Sequence, residues 1–234
     1  MFTLNCNGKL LLINNPLVMG IVNVTPDSFY AGSRFTGEKD IMLQVEKMIK
    51  EGVDIVDIGG QSTRPRADHL TSAEELKRII DPLYSVHKTF PELIISVDTF
   101  YAQVAKESVA AGAGMINDIS GGNFDAEMLP TVAALSVPYV CMHMKGKPQT
   151  MQQSPEYENV TKEVLDFFIE RMDSCKKAGI HDILVDPGFG FGKNRGHNFE
   201  LLKNLGVFKM LEKPVMVGLS RKSTIYKTLG VTAE

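Results

Sequence analysis

The stretch LIISVDTFYAQVAKESVAAGAGMINDIS, residues 93–120, contains the pattern that decides the fold. It opens and closes on short apolar runs, LIISVDT at 93–99 and GMINDIS at 114–120, and a longer segment with helical periodicity lies between them. Near-continuous apolar runs indicate strands that are covered on both faces, and strands joined by a helix pair in parallel. The stretch therefore predicts a strand, helix and strand unit of a parallel sheet.

The same alternation extends along most of the chain. Amphipathic segments such as DIMLQVEKMIKEG at 40–52 are long enough for crossover helices between the apolar runs. Seven runs are candidate strands: LVMGIVNV (17–24), VDIVDIGG (53–60), LIISVDT (93–99), GMINDIS (114–120), PYVCMHM (138–144), DILVDPG (182–188) and PVMVGLS (214–220). Ahead of them, Asn7-Gly8 accepts the positive φ angles of a type I′ turn, so residues 2–13 are predicted to form a β-hairpin.

Polar residues end every candidate strand, and their position distinguishes two parallel architectures. A closed barrel gathers all strand ends around one mouth, whereas an open doubly wound sheet spreads them along an edge. Each residue alone is equally consistent with a turn or a helix cap, but the whole set favours the barrel. The set is Asn23, Asp57, Asp98, Asn117, His143, Asp186 and Ser220. We predict an α/β fold, a (β/α)8 TIM barrel with an N-terminal β-hairpin, in which residues 1–234 form one domain that is truncated after the seventh βα unit.

Composition restricts the class of partner and the compartment. The 234 residues carry a formal net charge of -3, so no long-range attraction to nucleic acid or anionic lipid is expected. Three cysteines without C-x-x-C spacing argue against a disulfide framework and a structural zinc site. The first residues lack a secretory signal, and no apolar run reaches the roughly 18 residues of a membrane helix. We therefore expect a cytoplasmic protein with small-molecule partners, no nucleic acid and no membrane.

Three loops carry candidate chemistry. The loop at 23–35 begins with Asn23, which is either a turn residue or an amide oxygen ligand for Mg²⁺, an ion that keeps water and substrate phosphate as its other ligands. The loop GGQSTRPRADHL at 59–70 sets hydroxyls and arginines, including Thr63 and Arg64, beside two glycines, which is typical of an anion clamp. The segment GFGFG at 188–192 lacks the spacing of a dinucleotide site, and it predicts a flexible loop whose backbone approaches a flat ligand.

Seven fragments of the chain resemble the dihydropteroate synthase family in order and spacing. The resemblance covers residues 18–224, and the fragments read MGIVNVTPDSF, VDIGGQSTRP, SVDT, INDISGG, MHMKGKPQTMQ, DPGFGFGK and GLSRKS. The resemblance implies a homodimeric barrel of the folate pathway. It also implies a transferase that joins (7,8-dihydropterin-6-yl)methyl diphosphate to 4-aminobenzoate, with Mg²⁺ as cofactor and sulfonamides as competitors of 4-aminobenzoate.

The resemblance also implies roles for the pterin-facing residues. Asp186 is expected to accept hydrogen bonds from the amino group and a ring N–H of the pterin, while Asp98 and Asn117 meet the remaining ring nitrogens. Lys222 is expected to donate to the pterin and to offset the buried carboxylates. Met142 is equally consistent with apolar contact to the ring and with an ordinary core position. Phe189 or Phe191 is expected to pack nearby, and Phe191 is the one taken as a substrate-binding residue.

The remaining roles concern the diphosphate and the amine. Asn23 with Mg²⁺, together with Thr63 and Arg64, is expected to stabilise the leaving diphosphate, so these three residues and Lys222 are the predicted catalytic set. The 4-aminobenzoate side is expected to be formed by a group of loop residues. Its members are Thr63, Pro65, Lys222 and Ser223, and Gly218 is a further expected substrate-binding residue. His143 is expected to be a hydrogen-bonded structural histidine and not a metal ligand, because no partner motif accompanies it.

Departures from the family pattern leave alternatives open. The family's final strand carries an Arg-x-His element for the diphosphate, and the 234 residues contain no counterpart of it, so a neighbouring chain or the hairpin is an alternative occupant of that position. Gln61 and Arg66 stand where many relatives have a glutamate and a glycine. Two rival functions are a pterin-dependent methyltransferase that acts on methyltetrahydrofolate and a noncatalytic pterin-binding protein.

Overall fold

The structure, a computed structural model, describes residues 1–24, 37–61, 70–146, 150–151 and 155–232. The strands are β1 (Phe2–Cys6), β2 (Lys9–Ile13), β3 (Met19–Asn23), β4 (Ile55–Gly59), β5 (Ile94–Asp98), β6 (Met115–Asp118), β7 (Tyr139–Met142) and β8 (Ile183–Asp186). The helices are α1 (Glu38–Lys50), α2 (Ser72–Thr89), α3 (Ala102–Ala110), α4 (Met128–Leu135), α5 (Val160–Ala178), α6 (Arg195–Lys203) and α7 (Ser223–Leu229). A 3-10 helix, Leu205–Leu211, lies between α6 and α7.

β1 and β2 form the predicted hairpin as an antiparallel pair. Its turn confirms the type I′ prediction, since Asn7 and Gly8 both adopt positive φ angles, 54° and 87°. The Asn7 amide also donates to the carbonyl oxygens of Val109 and Ala113, at 3.3 and 3.2 Å, which attaches the turn to the end of α3. The hairpin is a separate two-stranded sheet, so the alternative that it occupies a position in the barrel wall is wrong.

β3 to β8 form one parallel sheet in which each strand lies beside its neighbour in sequence. A doubly wound sheet would reverse the direction of winding at a switch point, and the order β3-β4-β5-β6-β7-β8 contains no reversal. Helices α1 to α4 follow the same order, since each packs on the next. This winding confirms the predicted barrel architecture.

The seventh predicted strand is much shorter than expected. Within residues 214–220, Val215 forms a single parallel bridge to Val185 of β8. Backbone hydrogen bonds join Val185 N to the Pro214 carbonyl at 3.0 Å and Met216 N to the Val185 carbonyl at 2.9 Å. In the part of the chain that the structure describes, the pairing of this run with β8 does not extend beyond that bridge.

Side chains along the barrel strands alternate between two environments, as strand geometry requires. Outward residues such as Val56, Ile58 and Val97 are buried in a large core shared with the helices. Inward residues near the amino ends of the strands form a second core beneath the hairpin. That core contains Leu4, Cys6, Ile55, Ile94, Met115, Val140 and Leu184. The hairpin therefore covers the amino-terminal end of the barrel, and the opposite end is left for the loops.

The helices complete the outer layer. The longest, α2 and α5, have 18 and 19 residues, and both carry charged residues on their exposed faces. Among the helices of the described residues, none combines the length and the apolar character needed to cross a membrane.

Candidate active site

The mouth of the barrel collects polar side chains from five strands. Asn23, Asp57, Asp98, Asn117 and Asp186 all occupy inward positions, because each lies two or four residues after an inward apolar residue of its own strand. The register sets Asp98 directly beside Asn117 on the neighbouring strand. The three residues predicted to read the pterin, Asp98, Asn117 and Asp186, therefore face one region.

Asp57 and Asn117 form a direct contact inside the mouth. The Asn117 amide nitrogen donates to Asp57 Oδ2 at 2.9 Å, and the two residues are only 4% and 7% exposed. The other polar atom of each side chain, Asp57 Oδ1 and Asn117 Oδ1, is buried without a hydrogen-bond partner among the described residues. Buried oxygens of this kind are costly unless a ligand or water donates to them. Both oxygens can therefore accept hydrogen bonds from a ligand or water.

The carboxyl groups of the mouth are electrostatically coupled. Burial raises the pKa of Asp57 above its ordinary value, and the nearby charge of Asp186 adds to the increase. Burial and repulsion from Asp57 raise the pKa of Asp98 well above its ordinary value. Burial also raises the pKa of Asp186, although the hydrogen bond from Gly188 N opposes the change. The site therefore favours a ligand that donates hydrogen bonds, or a cation that offsets the negative charge.

The glycine-rich segment after β8 is held tightly. Gly188, Gly190 and Gly192 all adopt positive φ angles, and Gly188 N donates to Asp186 Oδ1 at 2.8 Å. A Cβ at Gly188 would overlap the carbonyl oxygen of His143, so the backbone approach itself requires glycine. An added Cβ at Gly192 would likewise overlap the carbonyl oxygen of Lys145, so two of the alternating glycines serve close backbone packing, and the flexibility of the segment stays a prediction.

Lys222 closes the same side of the mouth. Its ammonium donates to the Phe189 carbonyl oxygen and lies 4.8 Å from the centre of the Phe191 ring, a cation–π contact. Burial lowers the pKa of Lys222, and attraction to Asp186 partly restores it. Lys222 and Asp186 thus attract each other electrostatically, and the role predicted for Lys222 toward a substrate stays a prediction.

An apolar wall lies beside the polar groups. Met142, at the end of β7, is 2% exposed and packs in a small cluster with Phe100 and Ile119. Phe191 of the glycine-rich loop packs against the same cluster. The two residues predicted to contact a ring, Met142 and Phe191, are therefore neighbours.

The other predicted site residues occupy the rim. Asn23 ends β3 and is exposed, whereas Ser223 is the exposed first residue of α7, directly after Lys222. Gly218 lies beneath the Lys222 ammonium, since a Cβ there would be 3.6 Å from Lys222 Nζ. Helix α7 has only seven residues, so its amino terminus adds little to the site.

Thr63, Arg64, Pro65 and Arg66 lie outside the described residues. The segment that contains them is framed by Gln61, whose side-chain oxygen accepts a hydrogen bond from Leu70 N at 3.1 Å. Gln61 is 7% exposed, so its amide closes the base of the loop instead of projecting into solvent.

His143 is hydrogen-bonded, as expected of a structural histidine. Its Nδ1 atom lies 2.8 Å from Lys193 Nζ, and burial together with that neighbouring charge lowers the pKa of the imidazole to about 2. No group of three or more histidine, cysteine or acidic side chains suited to a metal occurs in the described ranges. Asn23 remains the predicted ligand for Mg²⁺, and one amide oxygen is compatible with an ion that takes its remaining ligands from water and phosphate.

Sequence reasoning missed two of these residues as parts of the site. Asp57 was recognised as a strand end, but its pairing with Asn117 was not predicted; its separation of two from Ile55 was the available signal. Lys193 was passed over because GFGFGK lacks the spacing of a phosphate loop. A lysine directly after a segment rich in free carbonyls was the signal there.

Known proteins share both this sequence and this arrangement. Residues 19–234 match the family described as pterin binding enzyme. The chain is similar to the dihydropteroate synthase of Haemophilus influenzae, with 44% identity over 95% of this chain and 81% of that protein. It is also similar to that of Escherichia coli K12, with 43% identity over 96% of this chain and 79% of that protein.

Solved structures are similar throughout. Xanthomonas albilineans dihydropteroate synthase with 4-aminobenzoic acid has a TM-score of 0.91 and 43% identity, covering 97% of this chain and 81% of that one. The same enzyme in complex with 7,8-dihydropteroate has a TM-score of 0.87 and 40% identity over the same shares. The Yersinia pestis enzyme with a sulfonamide drug complex has a TM-score of 0.91 and 38% identity, covering 99% of this chain and 84% of that one. The chain belongs to the pterin-binding enzymes and, within them, to the dihydropteroate synthase family.

Proposed function

We propose that the barrel mouth performs the reaction of this family with its own residues in defined roles. The reaction condenses (7,8-dihydropterin-6-yl)methyl diphosphate with 4-aminobenzoate and yields 7,8-dihydropteroate and diphosphate, a step of folate biosynthesis. The observation that carries the assignment of roles is the convergence of Asp57, Asp98, Asn117 and Asp186, with buried acceptor oxygens, on one region beside Lys222.

The pterin ring would meet the acidic wall. A pterin presents an amino group and a ring N–H along one edge, and a carboxylate accepts both in parallel. Asp186 has one oxygen engaged by Gly188 N, which leaves the rest of its acceptor capacity for that edge. Asn117 Oδ1 and the Asp98 carboxylate accept from further ring donors. Met142 and Phe191 contact the ring through apolar surface.

Lys222 would change partner when substrate arrives. With no substrate its ammonium is shared between the Phe189 carbonyl and the Phe191 ring. A pterin carbonyl or ring nitrogen in the mouth competes for the same donor. The positive charge of Lys222 opposes the increase that burial causes in the pKa of Asp186, and it thereby favours the ionised carboxylate, which accepts hydrogen bonds.

The diphosphate would lie toward the end of β3, where Asn23 is exposed. Asn23 would hold a Mg²⁺ ion, which supplies positive charge against the leaving group's oxygens when bound. Thr63 and Arg64 follow β4, the strand paired with β3, and we assign them to the same diphosphate. A hydroxyl and a guanidinium are suited to stabilising charge that grows on phosphate oxygens.

Bond cleavage would precede bond formation. The bond between the pterin methylene carbon and the diphosphate oxygen breaks, and the electron pair leaves with diphosphate while the ring delocalises the positive charge. The amine nitrogen of 4-aminobenzoate then attacks the methylene carbon and loses one proton. Because this amine is already a nucleophile, the reaction requires no strong general base.

The 4-aminobenzoate would bind on the rim formed by Lys222, Ser223 and Gly218, with Thr63 and Pro65 completing the pocket. Two relatives support this placement in part, since their solved structures hold 4-aminobenzoic acid and a sulfonamide drug complex. Sulfonamides would accordingly compete with 4-aminobenzoate in this chain. Titration of the initial rate with a sulfonamide, at several concentrations of 4-aminobenzoate, tests the competition.

Calorimetry and product formation together test the proposed function. The protein is titrated with dihydropterin diphosphate in the presence of Mg²⁺ and then with 4-aminobenzoate, and 7,8-dihydropteroate is measured by chromatography. Binding with formation of dihydropteroate is the expected result. Binding without product would indicate the noncatalytic alternative, and methyl transfer from methyltetrahydrofolate without dependence on 4-aminobenzoate would indicate the methyltransferase. Absence of pterin binding would overturn the assignment.

Family membership supports two further proposals, a homodimeric assembly and a cytoplasmic location. Light scattering of the purified protein tests the first, with a mass of twice 25.8 kDa expected. Cell fractionation followed by immunodetection tests the second.

A further inference from the structure

Lys193 is a buried lysine that the reaction scheme above does not use; burial lowers its pKa to about 7, although the charge of Asp186 opposes the decrease. Its side chain is 2% exposed, and it lies between the glycine-rich segment and α6. Lysine is almost never fully buried unless partners compensate its charge. The partners of Lys193 therefore indicate what the burial achieves.

Four acceptors surround the Lys193 ammonium. Nδ1 of His143 lies at 2.8 Å, and the carbonyl oxygens of Gly188, Phe191 and His143 lie at 3.1, 3.1 and 3.3 Å. Two of these acceptors belong to the loop after β8, and two belong to the residue that follows β7. One side chain thus ties the ends of two neighbouring strands together.

The two lysines of the mouth divide the carbonyl groups of this loop. Lys193 binds Gly188 and Phe191, whereas Lys222 binds Phe189, which lies between them. From α6, the buried Asn198 adds a further support, since its Oδ1 accepts from Gly190 N at 2.8 Å. The backbone that carries Phe191 and Gly188 is consequently fixed before any ligand enters.

Lys193 also acts on Asp186, the residue proposed to read the pterin edge. Gly188, whose carbonyl Lys193 binds, donates its N–H to Asp186 Oδ1. The positive charge of Lys193 is close enough to Asp186 to favour the ionised carboxylate, as is that of Lys222. Both the position and the charge of Asp186 therefore depend on a lysine that lies beneath the loop.

We propose that Lys193 is a positioning residue for pterin recognition, which acts by fixing the loop at 188–191 and keeping Asp186 available as an acceptor without touching the substrate. This inference rests on the proposed function, because it assigns a second lysine to the same pterin site. It separates the two lysines by role: Lys222 contacts substrate, and Lys193 sets the geometry in which the contact occurs.

A lysine that merely stabilised the fold would affect both substrates alike. A positioning role predicts a selective effect, because the loop and Asp186 face the pterin while the 4-aminobenzoate rim lies at Ser223. The test replaces Lys193 by methionine, which keeps the length and apolar stem but removes the charge and all donors. Lys203→Met makes the same chemical change at an exposed position of α6 and serves as the matched control.

Steady-state kinetics give the first measurement. In Lys193→Met, the KM for dihydropterin diphosphate is expected to rise about tenfold or more, with the KM for 4-aminobenzoate within about twofold of the wild-type value. Lys203→Met is expected to match the wild type in both. The inference would be overturned by an unchanged pterin KM, or by parallel changes in both KM values that follow the loss of folded protein.

The pH profile gives a second measurement that a purely structural role would not move. Among the described residues, the ionisable groups that interact with Asp186 are Lys193, Lys222, Asp57 and Cys141, from the loop, the start of α7, β4 and β7. Removal of the Lys193 charge raises the pKa of Asp186, and a protonated carboxyl cannot accept two N–H groups. The acid limb of kcat/KM for the pterin substrate should therefore move to higher pH in Lys193→Met, while an unmoved limb would contradict the proposed charge effect.

Nitrogen NMR of His143 in the wild-type protein covers the case in which the variant does not fold. If the Lys193 ammonium donates to Nδ1, that nitrogen carries no proton and the neutral ring is protonated at Nε2. A protonated Nδ1 would overturn the inference without any substitution. Failure of the proposed function looks different, because wild-type protein would then neither bind dihydropterin diphosphate nor form dihydropteroate.

Discussion

The same strands form two ends of the barrel that differ in chemical character, one apolar and one polar. At the amino-terminal end, Leu4 and Cys6 of the hairpin pack on inward residues such as Ile55 and Met115, and the space is filled by apolar side chains. At the carboxyl-terminal end, the inward positions only two residues further along these strands hold Asp57 and Asn117, each with a buried oxygen that has no hydrogen-bond partner within the described part of the chain. The amino-terminal end is fully packed without a ligand, whereas the carboxyl-terminal end has buried acceptors that a ligand would satisfy.

This difference separates stability from function along a single strand. Burial of apolar surface stabilises the closed end, whereas burial of like charges at the open end costs stability unless a ligand compensates. Substitutions at the closed end should therefore lower the free energy of unfolding and spare binding. Substitutions at the open end should weaken ligand binding and change the free energy of unfolding little.

The largest expected effect is at Asp186. Asp186→Asn keeps an acceptor for Gly188 N but removes the charge, so the Kd for dihydropterin diphosphate should rise about a hundredfold through loss of charge-assisted hydrogen bonds. Asp186→Ala should abolish binding altogether. Asp182→Asn is the control, because Asp182 lies at the other end of this strand region and accepts from Asn5 N of the hairpin at 2.7 Å. Calorimetry measures both; wild-type affinity in Asp186→Asn would mean that another carboxylate reads the ring.

The closed end is tested at Leu4. Its side chain is 3% exposed in the hairpin core, so Leu4→Ala should lower the free energy of unfolding by about 2–4 kcal/mol through lost burial and the remaining cavity. Leu12→Ala makes the same change on β2 at a side chain that is 55% exposed, and it should cost about 0.5 kcal/mol or less. Urea denaturation measures both. If Leu4→Ala also weakened pterin binding in the folded protein, the two ends would not be independent.

A buried carboxyl group behind the mouth shows the cost of charge. Burial raises the pKa of Glu75 to about 7, and its contact with Thr99 Oγ1 at 3.2 Å only partly opposes this. Because the folded state holds this proton more tightly than the unfolded chain, stability is greatest below the ordinary glutamate pKa. The free energy of unfolding then decreases as the pH rises from the ordinary glutamate pKa to about 7, by at most about 1.4 kcal/mol per pH unit.

Glu75→Gln removes this dependence, because glutamine stays neutral throughout. The variant should match the wild type near pH 4.5 and exceed it in stability at pH 8. Denaturation curves across this range measure the difference. An identical slope for both proteins would show that Glu75 does not titrate on unfolding.

Much of this comparison could be predicted from sequence. Continuous apolar runs identified β3 to β8, and Asn7-Gly8 predicted the turn because few other dipeptides accept two positive φ angles. The strand ends predicted Asp98, Asn117 and Asp186 because parallel strands align their carboxyl ends. The position of a residue along a strand follows from the local sequence pattern, and that pattern was enough to predict the strands, the turn and the residues at the strand ends.

Other features depend on which distant groups meet, and local pattern does not encode that. The pairing of Asp57 with Asn117 joins residues from non-adjacent strands, β4 and β6. The environment of Lys193 depends on carbonyl groups that converge only because Gly188 and Gly192 adopt positive φ angles. The run at 214–220 has a strand's composition and lies beside β8, but among the described residues it forms only the bridge at Val215, so composition does not fix the extent of pairing.

The smallest effect, at Asp57, gives the finest test of the open end. Asp57 lies two residues before the end of β4, and its contact with the amide nitrogen orients Asn117 so that the buried Oδ1 is the acceptor left for a ligand. Asp57→Ala removes that acceptor, so the amide is free to turn. The Kd for dihydropterin diphosphate should then rise about tenfold, which corresponds to about 1.4 kcal/mol.

Asp57→Asn separates orientation from charge, because it retains an acceptor oxygen at nearly the same place. Its affinity should lie between those of the wild type and Asp57→Ala. Neither variant should lose stability beyond about 1 kcal/mol, since each also removes a buried carboxylate whose pKa burial has raised. Equal affinity in all three proteins would mean that Asn117 is oriented by other contacts. A large loss of stability would mean that the open end contributes to the fold as the closed end does. The separation of stability from ligand binding would then not hold at Asp57, which lies only two residues from the apolar core of the closed end.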